Sequence, residues 1–83
     1  MSWLVYMLEC ADGSLYTGIT NDLPARIKAH EEGRGAKYTK GRAPLSLVYT
    51  EECADRSAAS KREIQIKKMP KYDKIMLSKA KKK

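Results

Sequence analysis

The stretch WLVYMLECADGSLYTGIT, residues 3–20, decides the fold, because it holds two strand-like segments on either side of a turn. Residues 3–8 are a short apolar run rich in aromatic and branched side chains, and residues 14–20 alternate less cleanly between apolar and polar. Such segments are typical of β-strands. The pair Asp12-Gly13 between them is a turn signal. The stretch therefore predicts a β-hairpin.

The length of the hairpin loop decides whether Tyr6 and Tyr16 share a face of the sheet, because successive side chains of a strand point to opposite faces. A two-residue turn would place the two tyrosines on opposite faces. A three-residue loop over residues 11–13, with Gly13 in the left-handed conformation, would pair Tyr6 with Gly18 and align the tyrosines. We predict the three-residue loop.

Helix and strand signals continue along the rest of the chain. The predicted segments are a helix from a cap at Asn21 or Asp22 to Gly33, a loop over 35–44, a strand over 45–49, a helix from Asp55 or Ser57 to Met69, and a short helix from Pro70 through Met76. With the hairpin, the order is ββαβαα. This order predicts an α+β fold with a small antiparallel three-stranded sheet flanked by helices. We expect one domain over residues 1–78 and a basic, disordered tail over 79–83.

The charge of the chain points to a polyanionic partner. The net charge is +7, and it is unevenly spread: residues 1–60 carry seven Lys/Arg against eight Asp/Glu, and residues 61–83 carry ten against two. Nucleic acids are polyanions, and neutralising their phosphates supplies most non-specific affinity. For the lysines of the tail alone, a solubilising role is the favoured alternative.

Several classes of protein are excluded by what the sequence lacks. No apolar run approaches the roughly 20 residues that cross a bilayer, and no secretory leader is present, so we expect a cytoplasmic protein without membrane contact. Cys10 and Cys53 are then expected to be free thiols rather than a disulfide. The chain has one histidine, no P-loop, no zinc spacing and no close carboxylate pair. A nuclease built on this chain would use at most one metal ion.

Four polar residues stand in positions that need an explanation. Tyr6 sits in an apolar strand, where a core tyrosine with its hydroxyl at a surface is the simpler interpretation. Arg26 and His30 are one helical turn apart and share a face, which could be solvated. Glu63 falls in the apolar stripe of a helix, where an unpaired carboxylate is costly. It could pair with Lys67 one turn on, or bind a metal.

A second group of polar residues is suited to contact nucleic acid. The glycine-rich loop places Lys37, Lys40 and Arg42 around Tyr38. Such a loop can contact phosphates or bases. With Lys67, these four residues are the nucleic-acid-binding candidates.

Taken as one pattern, these residues resemble the GIY-YIG nuclease superfamily, in particular its short stand-alone bacterial members, over nearly the whole chain. The matching segments are Leu4-Val5-Tyr6 for GIY, Tyr16-Thr17-Gly18 for YIG, Thr20-Asn21-Asp22-Leu23 before Arg26 and His30, Ala36-Lys37-Tyr38-Thr39 before Pro44, and Leu47-Val48-Tyr49 with Glu51 before Ala59, Glu63 and Lys67. The chain departs from the family pattern where Leu4, Val5 and Thr17 replace Gly, Ile and Ile. These are structural positions and leave the chemistry in place.

The resemblance implies a Mg²⁺- or Mn²⁺-dependent endonuclease that acts on nucleic acid, with DNA favoured over RNA. Tyr6 would activate a water as general base or relay, and Tyr16 would orient that water or the phosphate. Arg26 would bind the phosphate, Glu63 would ligate one metal ion, and His30 would assist in proton relay. A phenol with a pKa near 10 is a poor base, so Arg26 and the metal are expected to lower the pKa of Tyr6.

Two other functions fit parts of the pattern. One is a nucleic-acid-binding or accessory domain that keeps this fold with weak or no cleavage. The other is a ribosome- or RNA-associated basic protein, which only the charge suggests. The presence of Tyr6, Arg26 and Glu63 together argues against the latter.

Overall fold

A central strand organises the protein, whose computed structural model describes residues 3–35, 39–42 and 44–81. The elements are β1 (Trp3–Glu9), β2 (Leu15–Thr20), α1 (Leu23–Glu31), β3 (Ser46–Cys53), α2 (Arg56–Lys67) and α3 (Lys71–Lys81). The sheet order is β2-β1-β3, and β1 pairs antiparallel with both neighbours. The predicted α+β class, antiparallel three-stranded sheet and ββαβαα order are confirmed.

The hairpin of β1 and β2 has the predicted three-residue loop over residues 11–13. Gly13 adopts a φ of +84°, in the left-handed region where glycine carries no steric penalty. Its N–H donates to the carbonyl of Cys10 at 2.9 Å and closes the turn. Tyr6 consequently pairs with Gly18, and the two tyrosines of the hairpin lie on the same face. The predicted register is confirmed.

The third strand is longer than the sequence pattern predicts. It continues to Cys53, beyond the predicted end at Tyr49, because residues 50–53 pair with residues 3–6 of β1. Residues 50–52 are polar, and polar side chains weaken the apolar pattern from which a strand is predicted. The sequence therefore does not predict this part of the strand.

Aspartate caps begin the first two helices. The side chain of Asp22 accepts from the N–H of Ala25 at 3.3 Å, and Asp55 accepts from Ala58 at 2.8 Å. Each cap satisfies one of the backbone donors that a helix leaves free at its N-terminus. Of the two starts considered for α2, Asp55 rather than Ser57 is the cap.

A glycine turn redirects the chain after α1. Gly33 has a φ of +81°, and its N–H donates to the carbonyl of His30 at 3.1 Å. The N–H of Arg34 donates to the carbonyl of Ala29 at 2.8 Å. This pair of bonds is the Schellman pattern of a glycine-terminated helix. It turns the chain back so that Gly35 packs against the imidazole of His30.

The last helix runs further than predicted. The sequence indicates a short helix through Met76, whereas α3 continues to Lys81 and crosses the expected start of the tail at residue 79. The domain boundary there stays a prediction. Within the ranges that the structure describes, no helix is long and apolar enough to cross a membrane. Cys10 and Cys53 are free thiols, as expected.

The two faces of the sheet carry different kinds of side chain. The apolar core is a cluster of buried residues from β1, β3 and α2, namely Val5, Met7, Tyr49, Ala59 and Ile66. Val5 and Met7 alternate along β1 with Tyr6 and Leu8, which are also buried but point to the opposite side. We call the side of Val5 and Met7 the core face, and the side of Tyr6 and Tyr16 the site face.

Candidate active site

Four of the residues that the sequence singles out come together on the site face. Tyr6 lies in β1, Tyr16 in β2, and Arg26 and His30 in α1. The ring centroids of Tyr6 and Tyr16 are 6.3 Å apart, and those of Tyr6 and His30 are 5.9 Å apart. The ring of His30 is 5.1 Å from that of Tyr16. Hairpin register and helix periodicity together therefore build one cluster.

A chain of hydrogen bonds runs inward from Tyr6. Its hydroxyl is 2.8 Å from His30 Nε2, and His30 Nδ1 is 2.8 Å from Thr39 Oγ1. All three residues are buried, with 0% of Tyr6, 1% of His30 and 1% of Thr39 exposed. Buried polar groups are generally hydrogen-bonded, and these three side chains satisfy one another. The three residues thus form one continuous chain of hydrogen bonds inside the protein.

Arg26 borders the network on the side where it is partly open. The half-buried guanidinium donates from Nη2 to the carbonyl of Gly35 at 3.2 Å. It also interacts through hydrogen bonding with the phenol groups of Tyr6 and Tyr16. A guanidinium held beside two phenols can receive a phosphate group, since its fork of donors matches phosphate oxygens.

Two glycines make room for the rings. A Cβ on Gly18 would stand 2.6 Å from the hydroxyl oxygen of Tyr6, closer than Cβ atoms approach other atoms. A Cβ on Gly35 would overlap the imidazole of His30. Neither glycine has a positive φ, so each is required by the space that the neighbouring ring occupies.

Burial governs the protonation of the cluster. Desolvation raises the pKa of Tyr6 above its ordinary value of 10.0; the hydrogen bond with Arg26 lowers the pKa, and the charges of Tyr16 and Glu63 raise it further. The expected net lowering of the pKa of Tyr6 by Arg26 is therefore not found, because burial outweighs it. Desolvation, then the charge of Arg26, lowers the pKa of His30. Near neutral pH the phenol is protonated and the imidazole is neutral.

The carboxylate of Glu63 reaches the site from α2. Its Oε2 is 3.2 Å from Lys67 Nζ, and the two side chains are 20% and 50% exposed. Lys67 Nζ lies 5.9 Å from the ring centroid of Tyr16. The charge of Glu63 in turn acts on the phenol of Tyr6. The pairing that we considered from the sequence exists, and it leaves Glu63 beside the site.

The donor set is compatible with one hydrated divalent cation. Among the described residues, no group of three His, Cys, Asp or Glu side chains could hold a metal ion. Mg²⁺ commonly keeps several water ligands and takes one or two carboxylates from the protein. The carboxylate of Glu63 is partly exposed, and its charge acts on Tyr6. A single glutamate with water ligands fits such an ion.

The candidate nucleic-acid contacts have different surroundings. Lys40 is exposed, whereas Arg42 forms an ion pair with Asp12 in the hairpin loop. Arg42 thus braces the loop against the hairpin, and 39% of its side chain remains exposed. Lys37 and Tyr38 lie outside the described residues. Their role in binding stays a prediction.

Two residues of the site are missing from the sequence-based set of candidates. Thr39 completes the hydrogen-bond chain, and Gly35 packs on His30 and accepts from Arg26. The sequence contains only weak signals for these two residues, namely the spacing of Gly33 and Gly35 and the position of Thr39 in the loop motif. Neither signal shows that the loop folds back onto α1, because that contact is tertiary.

Comparison with known proteins identifies the family of the chain. The family model described as "GIY-YIG catalytic domain" matches residues 2–74, and the chain belongs to the GIY-YIG family. Members of this family are typically endonucleases and generally use divalent metal ions. The family suggests a nucleic-acid substrate and a nuclease-type function for the chain.

Relatives within the family are short proteins described as UPF0213. The UPF0213 protein of Desulfotalea psychrophila is 51% identical over 95% of this chain and 73% of its own length, and that of Staphylococcus aureus is 49% identical over 94% and 95%. The solution NMR structure of the UPF0213 protein from Bacillus halodurans matches with a TM-score of 0.63 and 44% identity, covering 98% of this chain and 86% of that one. The fold is therefore shared by proteins of similar length.

Proposed function

We propose that the chain is a Mg²⁺- or Mn²⁺-dependent endonuclease that hydrolyses phosphodiester bonds in DNA in the cytoplasm, with one metal ion. The observation that carries the proposal is the buried hydrogen bond between Tyr6 and His30, beside the guanidinium of Arg26. A merely structural tyrosine needs a partner for its hydroxyl, but it does not need a neutral imidazole and a phosphate-binding cation next to it.

The proton relay follows from the protonation of the two groups. A water attacks phosphorus and gives its proton to the phenol oxygen of Tyr6, while the phenol proton of Tyr6 passes to His30 Nε2. The new P–O bond forms as the bond to the leaving oxygen breaks, and that oxygen takes a proton from solvent water. The imidazolium of His30 then returns a proton through Tyr6 to solvent. Tyr6 never becomes a free phenolate, so its raised pKa does not prevent the step.

The other residues of the cluster bind and orient the phosphate. Arg26 offsets the charge that develops on the phosphate oxygens, and Tyr16 orients the attacking water. Glu63 would hold the metal ion, which supplies Lewis-acid polarisation of the phosphate when bound. Lys40 and Lys67 are exposed and would contact phosphates next to the scissile bond.

A second candidate function has one observation in its favour. The ion pair of Glu63 with Lys67 neutralises the carboxylate without a metal. A nucleic-acid-binding or accessory domain with weak or no cleavage would need no more than this.

Replacing Glu63 by glutamine separates the two candidates. We expect Glu63→Gln to abolish metal-dependent cleavage of DNA, because the amide lacks the charge that a hard divalent cation needs. Affinity for DNA should be kept or rise, since a negative charge beside the phosphate path is removed. The melting temperature should change little, because a partly exposed i,i+4 pair contributes about 0.5 kcal/mol or less.

The matched control is Glu31→Gln, which removes an exposed carboxylate of α1. It should cut DNA at the parent rate. Cleavage by Glu63→Gln at the parent rate would refute the metal assignment, and absence of Mg²⁺- or Mn²⁺-dependent products from the parent chain would favour the binding domain. Nicked, branched, single-stranded and duplex DNA, each with and without EDTA, are the substrates to compare.

A further inference from the structure

We propose that Thr39 is a positioning residue that holds the imidazole of His30 as the tautomer with its proton on Nδ1, so that Nε2 presents a lone pair to Tyr6. The geometry consists of two 2.8 Å contacts on opposite sides of one ring. In a neutral histidine, the partner of one nitrogen decides which nitrogen carries the proton. The catalytic part of this inference rests on the proposed function, whereas the tautomer itself does not.

The direction of the hydrogen bonds follows from a count of protons. The phenol oxygen of Tyr6 has two recorded partners, the guanidinium of Arg26 and Nε2 of His30. A guanidinium can only donate, so it takes a lone pair of the phenol oxygen. The phenol proton must then go to His30, because it is the only one of the two partners that accepts. Nε2 therefore has no proton of its own.

The remaining proton of His30 is assigned by the same count. A neutral imidazole has one N–H, and with Nε2 accepting, that N–H is on Nδ1. Thr39 Oγ1 is its partner at 2.8 Å, and a hydroxyl oxygen has lone pairs that accept while its own proton points elsewhere. Gly35 packs on the same edge of the ring, and His30 is 1% exposed, so water does not compete for this proton.

The count of protons requires a neutral His30, and the surroundings of the ring favour that state. Its pKa is lowered by burial and by the charge of Arg26, so the imidazolium, in which both nitrogens would donate, is disfavoured. In water, neutral imidazole side chains favour the proton on Nε2. The site reverses that preference, because Tyr6 donates to Nε2 and Thr39 accepts from Nδ1.

The single histidine of the chain makes the tautomer directly measurable. The experiment is a long-range ¹H–¹⁵N correlation spectrum of the ¹⁵N-labelled full chain, without metal or DNA, at a pH above 6.5. Protonated and unprotonated ring nitrogens differ widely in ¹⁵N shift. We expect Nδ1 protonated in the parent chain and in Thr39→Ser, and a shift of the proton toward Nε2 in Thr39→Val, which has no acceptor.

A second variant keeps the test decisive if Thr39→Val does not fold. In Tyr6→Phe the phenol is gone but Thr39 remains, so the proton should stay on Nδ1. Loss of the Nδ1 proton in Tyr6→Phe would show that Tyr6, not Thr39, selects the tautomer. A parent chain with its proton on Nε2 would overturn the proposal outright, whether or not the protein cuts DNA.

Kinetics distinguish positioning from a structural role. We expect Thr39→Val to lose about tenfold to a hundredfold in kcat with little change in KM, and Thr39→Ser to recover most of it, because only the proton relay is impaired. A folded Thr39→Val with an altered tautomer and unchanged kcat would remove the catalytic part of the inference. A parent chain without metal-dependent cleavage would instead refute the proposed function and leave the tautomer result standing.

Discussion

The buried side chains on the two faces of the central strand β1 have opposite kinds of surroundings, apolar on one face and polar on the other. On the core face, Val5 and Met7 pack against Ala59 and Ile66 of α2, and apolar area removed from water stabilises the contact. On the site face, Tyr6 is equally buried but is hydrogen-bonded to His30 of α1, which is bonded in turn to Thr39. Neighbouring residues of one strand can therefore belong to the apolar core and to the candidate site.

The difference lies in what each face tolerates. Apolar contacts are not directional, so side chains of similar volume can replace one another at moderate cost. Hydrogen bonds between buried groups are directional, and a missing partner leaves a desolvated donor or acceptor. We therefore expect mutations on the core face to change stability, and mutations on the site face to change cleavage more than stability.

Among variants on the two faces of the sheet, the largest expected effect is that of Tyr6→Phe. Removing the hydroxyl removes the group that accepts the proton of water, and general acid–base catalysis contributes about 10²- to 10⁴-fold, so kcat should fall by that factor. Met7→Leu, one residue on and on the core face, is the control. It should cost less than about 1.5 kcal/mol and leave kcat unchanged. Equal losses of cleavage in both variants would contradict the division between the faces.

The division of the faces could be predicted from the sequence, because it depends on local rules. A glycine at the end of a three-residue loop sets the register, and the register aligns Tyr6 with Tyr16. The spacing of Arg26 and His30 places both on one side of α1. These interactions are short-range or periodic, so the sequence pattern contains them.

The parts that escaped prediction depend on contacts between distant segments. Thr39 contacts His30 although it lies 9 positions further along the chain. Arg42 meets Asp12 across 30 positions of the chain. Burial reverses the expected pKa shift of Tyr6, and burial of a side chain in a strand is a property of the whole fold. Such contacts have no periodic signature.

Gly18→Ala should act mainly on the site face, although Gly18 is a backbone position. A Cβ there would stand 2.6 Å from the hydroxyl oxygen and 2.8 Å from Cζ of Tyr6, so the ring must move. A displacement of about 1 Å can cost on the order of a hundredfold in rate, and we expect a loss of that size in kcat. Ile66→Val on the core face, with an expected cost of about 0.5–1.5 kcal/mol and normal kcat, is the control.

The pH dependence of stability should report the buried network. His30 has a lowered pKa in the folded state, so below about 6.5 the unfolded chain binds more protons than the folded one. The free energy of unfolding should then fall as pH drops through 6.5, with a slope of up to about 1.4 kcal/mol per pH unit, and be fully restored above that value. Denaturant titrations across this range measure the slope.

The chain has no other histidine, so His30→Gln is a clean control for this slope. It should be less stable than the parent at high pH, because the network is broken, and should lose the dependence between pH 6.5 and the range where carboxylates titrate. A parent slope that persists in His30→Gln would mean that other groups produce it.

The smallest effect is expected at Thr17, a buried polar residue on the core face. Thr17 pairs with Met7 across the hairpin and therefore points to the core face, where it is 3% exposed. Its Oγ1 has no hydrogen-bond partner among the residues that the structure describes. A buried hydroxyl without a partner costs free energy that a methyl group of similar size does not. We expect Thr17→Val to raise the free energy of unfolding by about 1 kcal/mol.

Thr20→Val tests whether this gain comes from the missing partner rather than from valine's preference for strands. Thr20 lies in the same strand and is also buried, but its hydroxyl accepts from the N–H of Asp22 at 3.0 Å. Removing that acceptor should lower stability by about 0.5–1.5 kcal/mol, so the two Thr→Val changes should have opposite signs. If both variants gain stability in urea denaturation, strand propensity explains the effect and Thr17 is not a strained position.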